Sequence, residues 1–460
     1  MVLRNWLVGG IFLAGLTFLL VATAQTPKEN TGAGRQSLDR TDQIKRAIRG
    51  GRAQQVILFI GDGMGDSEIT IARNYFAGAN SRLNMDKLPL TGAYTTYAVQ
   101  EGNPNLPDYV TDSAASGTGW ATGHKTSNGR ISTVAGSTAA TALATILELA
   151  QKAGLRTGDV STAEVTDATP AVLASHVNDR SCEGPANMTN CSAYRKNNGG
   201  PGSIAEQEID HHVDVLLGGG KQRFDQVITE GPFAGKSVIQ SAIAQAYTVV
   251  TDATGLASAR PARRILGLFA AGNMSLEWKG ELALAFPGSG PQTCLQGQRP
   301  AIEPSLAEMT QKAIELLQGG KGFFLQVEGA SIDKQDHAQN PCGQIGETVA
   351  FDKAIAVGLG FAEKHPDTLI IVTADHGHAS QIIEAVDPDQ RNHPGAFSVL
   401  TTLEGAPMTV NYGTEPAGMS QSHTGTQVRI AAQGPQAANV LGVTNQTDLF
   451  HTMARALGVE

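Results

Sequence analysis

Three apolar runs in this chain each stop at an acidic residue. Val56-Ile57-Leu58-Phe59-Ile60 ends at Gly61-Asp62, Phe323-Phe324-Leu325-Gln326-Val327 ends at Glu328, and Leu369-Ile370-Ile371-Val372 passes through Thr373-Ala374 to Asp375. A continuous apolar run bounded by a turn is the pattern of a strand buried on both faces, as in a parallel sheet. A weaker run, Val160-Ser161-Thr162, leads toward Asp167-Ala168-Thr169-Pro170. Helical stretches are predicted between the runs, over residues 137–153, 305–318 and 346–364. Strands alternating with helices define an α/β fold: a central, mostly parallel sheet flanked by helices on both faces. Ligands in such folds bind at the carboxyl ends of the strands. Asp62, Glu328 and Asp375 are therefore expected to share a site. Residues 379–420 contain Pro, Gly and short alternating runs, and predict a small excursion from the sheet.

A chain of 460 residues has room for one large α/β domain or two smaller ones. With 41% hydrophobic and 17% charged residues it is a globular chain and not a disordered one. Its net charge of -9 disfavours nonspecific binding to a nucleic-acid backbone. A phosphate ligand would need local positive charge, from metal ions or a placed arginine.

The first residues read as a signal peptide, with Arg4 ahead of an apolar stretch from Trp6 to Val21 and an A-x-A site at Ala22-Thr23-Ala24. The apolar stretch is short of the roughly 20 residues that a membrane span needs. Cleavage after Ala24 is expected, with a polar arm at 25–50, helical near 42–48, and one catalytic domain at 51–460. This predicts a periplasmic or secreted protein without a membrane anchor.

Four cysteines, Cys182, Cys191, Cys294 and Cys342, suit disulfides in an exported chain. Three pairings exist on paper. Cys182 with Cys191 is the simplest local one, which leaves Cys294 with Cys342. No C-x-x-C spacing supports a cysteine zinc site.

Asp375-His376-Gly377-His378 sets a carboxylate and two imidazoles at a strand end. Asp333 and His337 are four residues apart and share one face of a helix. His423 stands alone in sequence. Imidazole with carboxylate suits zinc, whereas Asp167, Thr169 and Glu328 offer only oxygen, which suits magnesium. His378 is placed to support a ligand and is not itself assigned as one. His124, His176, His211, His212, His365, His393 and His451 fall outside these clusters and read as ordinary histidines.

In Thr111-Asp112-Ser113-Ala114-Ala115-Ser116-Gly117 the small residues allow a helix to start, and a helix start favours a bound phosphate. On local pattern alone Ser113 reads as an N-cap. No G-x-S-x-G elbow and no G-x-x-x-x-G-K-[ST] loop occurs.

These segments together resemble the alkaline phosphatase family, its bacterial periplasmic members in particular, over essentially the whole mature length. The resemblance rests on Ile60-Gly61-Asp62-Gly63-Met64-Gly65, the segment 108–116 around Ser113, Ser161-Thr162-Ala163-Glu164 with Asp167-Ala168-Thr169-Pro170, the segment 328–337, Thr373-Ala374-Asp375-His376-Gly377-His378 and His423-Thr424-Gly425. It implies hydrolysis of small phosphate monoesters through a phosphoserine on Ser113, in a site with two zinc ions and one magnesium ion. Asp333, His337 and His423 would hold the first zinc. Asp62, Asp375, His376 and Ser113 would hold the second. Asp62 would bridge to magnesium, held also by Thr169 and Glu328, with Asp167 acting directly or through water. Arg180 would clamp phosphate, helped by Lys334. The resemblance also implies a homodimer that the N-terminal arm helps to join. Ser113 lacks the C/S-x-P-x-R setting of a sulfatase; the alternative is a phosphodiesterase or another hydrolase of the same superfamily.

Overall fold

The computed structural model describes residues 39–138, 141–261, 263–384 and 394–460. The predicted signal peptide lies outside the described residues, as does the arm before residue 39. Among the described residues, no helix is long and apolar enough to cross a membrane.

Among the described residues, ten strands build the main sheet: β1 Gln55–Gly61, β2 Leu90–Thr95, β3 Arg156–Glu164, β4 Val215–Gly219, β5 Tyr247–Val250, β6 Arg264–Leu268, β7 Phe323–Gly329, β8 Thr368–Ala374, β9 Val428–Gln433 and β10 Gly442–Asn445. Their spatial order is β10-β2-β9-β8-β1-β7-β3-β4-β6-β5. Only β9 runs against its neighbours β8 and β2; all other pairings are parallel. The three apolar runs form the centre of the sheet, as β8, β1 and β7. Ile60 pairs with Glu328 on one side and Thr373 on the other, and Gly61 with Gly329 and Ala374. That register brings the three carboxyl ends level, so Asp62, Glu328 and Asp375 emerge at one edge. Ser161 of β3 lies beside Glu328.

The site uses six helices: α1 Ser113–Thr122, α2 Ile146–Lys152, α3 Ala168–Ala174, α4 Ile204–Asp210, α5 Ser331–His337 and α6 Pro341–Lys364. Helix α6 packs with Leu306–Leu317 over β7, while α2, α3 and the C-terminal helix Asp448–Leu457 cover the opposite face. The sheet core between these layers holds Val56, Leu58, Phe59, Phe324, Leu325, Ile370 and Ile371, all without solvent contact.

Three expectations change. The stretch expected to be helical from residue 137 is a helix only from Ile146, because Thr145 and Glu148 form a reciprocal capping box there and Ala142 bridges to Thr133. Helix α6 begins at Pro341, five residues earlier than expected, with Asn340 accepting from Gly343 N–H and proline at its first position. The excursion is a four-stranded sheet in the order Ser380–Ile383, Pro407–Tyr412, Ala396–Thr401, Ser289–Gln292. Its last strand comes from far earlier in the chain. Ser289-Gly290-Pro291-Gln292 carries no apolar alternation, so only its parallel pairing to Ala396–Thr401 makes it a strand. The short helix near residue 42 is present as Thr41–Ala47.

Both expected disulfides are formed, Cys182–Cys191 and Cys294–Cys342. The second joins the start of α6 to the loop after Ser289–Gln292, within a small core with Tyr75, Trp278 and Val410.

Candidate active site

Helix α1 starts at Ser113, but its N-cap is Asp112, whose Oδ1 accepts from Ala115 N–H at 2.9 Å. The reading of Ser113 as a cap is thereby removed: its buried hydroxyl is free for another task at the positive end of the helix. Ser113 Oγ lies 3.4 Å from His376 Nε2. His376 Nε2 also lies 3.1 Å from Asp375 Oδ2 and 3.5 Å from Asp62 Oδ1. Asp375 is held by its other oxygen, which accepts from Gly63 N–H and His376 N–H, each at 2.8 Å.

A second group adjoins this one, since the rings of His376 and His423 stack with centroids 3.6 Å apart. Asp333 Oδ1 is 3.4 Å from His337 Nε2, 3.2 Å from His423 Nε2 and 3.2 Å from His378 Nε2. The three imidazoles are wired differently. His423 Nδ1 donates to Thr111 O at 3.1 Å, and His337 Nδ1 donates to Gln421 O. Each Nδ1 therefore carries the hydrogen, and each Nε2 presents a lone pair. Those two Nε2 atoms are 3.0 Å apart, close enough to share either one proton or a metal ion. His378 is reversed. Its Nδ1 accepts from Ala379 N–H at 2.8 Å, so its Nε2 carries the hydrogen and lies 3.2 Å from Asp333 Oδ1. His378 lies close enough to be grouped with the ligands, yet this tautomer makes it an orienting partner of Asp333.

A third, all-oxygen group lies on the other side of Asp62. Ser161 Oγ donates to Glu328 Oε2. Thr169 sits in the first turn of α3, whose cap Asp167 accepts from Ala168 N–H at 2.8 Å. Asp167 also accepts from Arg180 Nη2 at 2.8 Å and from Lys334 Nζ at 2.7 Å. Arg180 Nη1 reaches Asp112 Oδ2 at 3.2 Å. Asp112 was visible in sequence only as a neighbour of Ser113. Its double task, capping α1 and holding Arg180, depends on a contact between segments far apart in the chain.

The electrostatics follow from this crowding of buried carboxylates and imidazoles. Burial, and after it the charges of Asp333, Asp375 and Glu328, push the Asp62 carboxyl well above its ordinary range. Burial pushes Glu328 up to about 7. Burial also opposes ionisation of Asp333, but the imidazoles of His378, His423 and His376 around it outweigh burial and hold that carboxyl well below the usual range. Asp62 Oδ1, Asp375 Oδ2 and Thr169 Oγ1 are buried without a hydrogen-bond partner among the described residues. Oxygens left in this state, beside imidazole lone pairs, are a donor set for cations. A cleft of about 660 Å³ opens beside Lys334 and His337, walled by Leu284, Gln339 and Met419.

A family profile described as alkaline phosphatase matches residues 53–419 and 409–459. Streptomycin-6-phosphate phosphatase of Streptomyces griseus is 52% identical over 417 residues, which span 88% of this chain and 91% of that protein. Alkaline phosphatase of Escherichia coli (strain K12) is 49% identical over 472 residues, 97% of this chain and 98% of that protein. Among solved structures, the alkaline phosphatase from the Antarctic bacterium TAB5 matches with a TM-score of 0.64 at 24% identity, covering 89% of this chain and 100% of that one, which bears on the fold. With a profile spanning most of its length and relatives near half identical along nearly all of it, the chain belongs to the alkaline phosphatase family, metal-dependent enzymes that hydrolyse phosphate monoesters.

Proposed function

We propose that the chain hydrolyses phosphate monoesters through a phosphoserine on Ser113, in a centre for two zinc ions and one magnesium ion. The observation that carries this reading is the position of Ser113 Oγ, at the start of α1 and 3.4 Å from His376 Nε2, beside two adjoining imidazole–carboxylate groups. Asp333, His337 and His423 would hold one zinc; Asp62, Asp375, His376 and Ser113 Oγ the other. Asp62, Thr169 and Glu328, with Asp167 directly or through water, would hold magnesium. Bound there, the ions would act as Lewis acids that lower the pKa of hydroxyl groups and neutralise charge on phosphate oxygens.

Ser113 Oγ attacks phosphorus, forming a P–O bond as the bond to the substrate alcohol breaks. Water then breaks the phosphoserine and releases inorganic phosphate. Arg180 presents two N–H donors to two non-bridging oxygens, a match to a monoester. Lys334, on the rim of the cleft beside His337, adds positive charge near the same oxygens. The start of α1 supplies further N–H groups to the phosphate.

The test is turnover of an aryl phosphate by the purified chain. Chelation is expected to abolish it, zinc with magnesium to restore it, and Ser113→Ala to reduce it by several orders of magnitude. Full activity in a protein shown metal-free by elemental analysis would overturn the reading. We read the mature chain, 25–460, as exported, in line with its two disulfides, and as a homodimer joined in part by the arm ahead of residue 51. Terminal sequencing of the secreted protein and light scattering test these two points.

A further inference from the structure

Glu148, His176 and His211 meet away from the catalytic groups. His176 Nε2 is 3.1 Å and His211 Nε2 is 3.0 Å from the same atom, Glu148 Oε1. One ligand atom from each of the three residues lies within 4.8 Å of the others. Each residue comes from a different segment: Glu148 from the first turn of α2, His176 from the loop after α3, and His211 from the C-terminal end of α4.

The wiring of the rings is that of His337 and His423. His176 Nδ1 donates to Ser132 O at 2.9 Å, and His211 Nδ1 donates to Gln207 O at 2.9 Å. Both Nδ1 atoms are thus committed as donors, and both Nε2 atoms converge on a single carboxylate oxygen. Two ring nitrogens and a carboxylate oxygen this close need protons or a metal ion among them. Backbone carbonyls on the far side of both imidazoles are the usual orienting partners of metal-bound histidine. Glu148 is also fixed in advance. Its Oε2 accepts from Thr145 N–H at 2.9 Å in the capping box, which leaves Oε1 turned to the rings. The backbone of His176 is pinned by Gln207, which accepts from His176 N–H at 2.9 Å and donates to His176 O at 3.2 Å.

We propose that Glu148, His176 and His211 form a further divalent-cation site, of zinc type, separate from the catalytic centre. Two imidazole nitrogens and one carboxylate oxygen are a zinc donor set. The site has a structural task, since it joins three segments behind the loop that carries Arg180, four residues beyond His176. It rests on its own geometry and stands whether or not the catalytic centre holds the ions assigned above.

The experiment uses the full holoenzyme. Wild type, His211→Ala and Glu148→Gln are equilibrated with the same zinc concentration, desalted, and analysed for zinc per chain. Wild type is expected to hold one more zinc than either variant, while aryl phosphatase activity with magnesium present stays within twofold. Added zinc should raise the Tm of wild type by more than that of His211→Ala, which keeps only the catalytic ions. Equal zinc content in all three proteins overturns the proposal and leaves the two rings simply hydrogen-bonded to Glu148. A zinc loss accompanied by loss of activity in both variants also overturns it, by showing that the measured ion is catalytic. His211 is partly exposed, so the alanine variant decides the matter by itself if Glu148→Gln does not fold.

Discussion

Arg180 Nη2 lies 2.8 Å from Asp167 Oδ1, so the guanidinium proposed to clamp phosphate is engaged by a carboxylate before any phosphate arrives. The same carboxylate accepts from Lys334 Nζ at 2.7 Å. Burial works against the charge on Asp167, but Lys334 and Arg180 hold its pKa well below the ordinary range. A bound phosphate must compete with it. Asp167→Asn is therefore expected to tighten inhibition by inorganic phosphate by roughly tenfold, the worth of about one charge-assisted contact. Loss of its support for the proposed magnesium group should raise the magnesium needed for half-maximal activity by about tenfold or more. Titrations with phosphate at saturating magnesium, and with magnesium at fixed substrate, measure the two effects separately.

Arg180→Ala removes the proposed clamp and leaves every proposed metal ligand in place. Phosphate inhibition should weaken by roughly 10- to 100-fold, with KM rising more than kcat falls. Unchanged phosphate inhibition would show that Arg180 serves Asp112 and Asp167 only.

Stereochemistry at phosphorus tests Ser113 independently of metal content. Attack by Ser113 followed by attack of an acceptor is two in-line displacements, and two inversions restore the starting hand. Transfer from a chiral, isotopically labelled monoester to an acceptor alcohol is expected to proceed with retention. Net inversion would assign a single direct displacement and leave Ser113 without a covalent role.

Glu347 offers a test of stability against pH. Burial raises its carboxyl to about 8, opposed by a hydrogen bond from Glu277 N–H at 2.8 Å. The folded chain then keeps a proton at Glu347 that the unfolded chain, with an ordinary value of 4.5, has released. Its contribution is complete below about pH 4.5 and is lost as pH rises through about 8. Glu347→Gln keeps the acceptor for Glu277 N–H without the titration. The Tm of the variant should climb relative to wild type between pH 5 and 9, and the two should converge at the acid end. A pH-independent difference would place the ordinary carboxylate pKa at this position.

The two disulfides should separate stability from function. Cys294–Cys342 spans 48 residues and Cys182–Cys191 spans 9. In the chain-entropy account these loops correspond to about 4 and about 2.6 kcal/mol. Replacing the first pair by serine should lower Tm more. Replacing the second should weaken phosphate inhibition more, because Cys182 is two residues from Arg180. Peptide maps of the unreduced protein check the pairing, and thermal unfolding with phosphate titration checks the split.

The centre of this protein was legible without coordinates. Continuous apolar runs such as 56–60 and 369–372 state their burial locally, and the parallel sheet follows from their alternation with helices. Because strand ends carry the ligands in that architecture, Asp62, Glu328 and Asp375 could be assigned to one place from sequence. What the chain does with individual atoms was not legible there. The start of α2 at Ile146 depended on a reciprocal cap, and Ser289–Gln292 became a strand only by finding Ala396–Thr401. His378 and His423 look alike in sequence. Ala379 N–H donates to the Nδ1 of the first, while the Nδ1 of the second donates to Thr111 O, and so one imidazole offers a hydrogen where the other offers a lone pair. His176 and His211 read as ordinary histidines for the same reason. Side-chain type is a property of the sequence, but tautomer, direction and neighbours are set by which backbone groups tertiary packing brings within hydrogen-bonding distance.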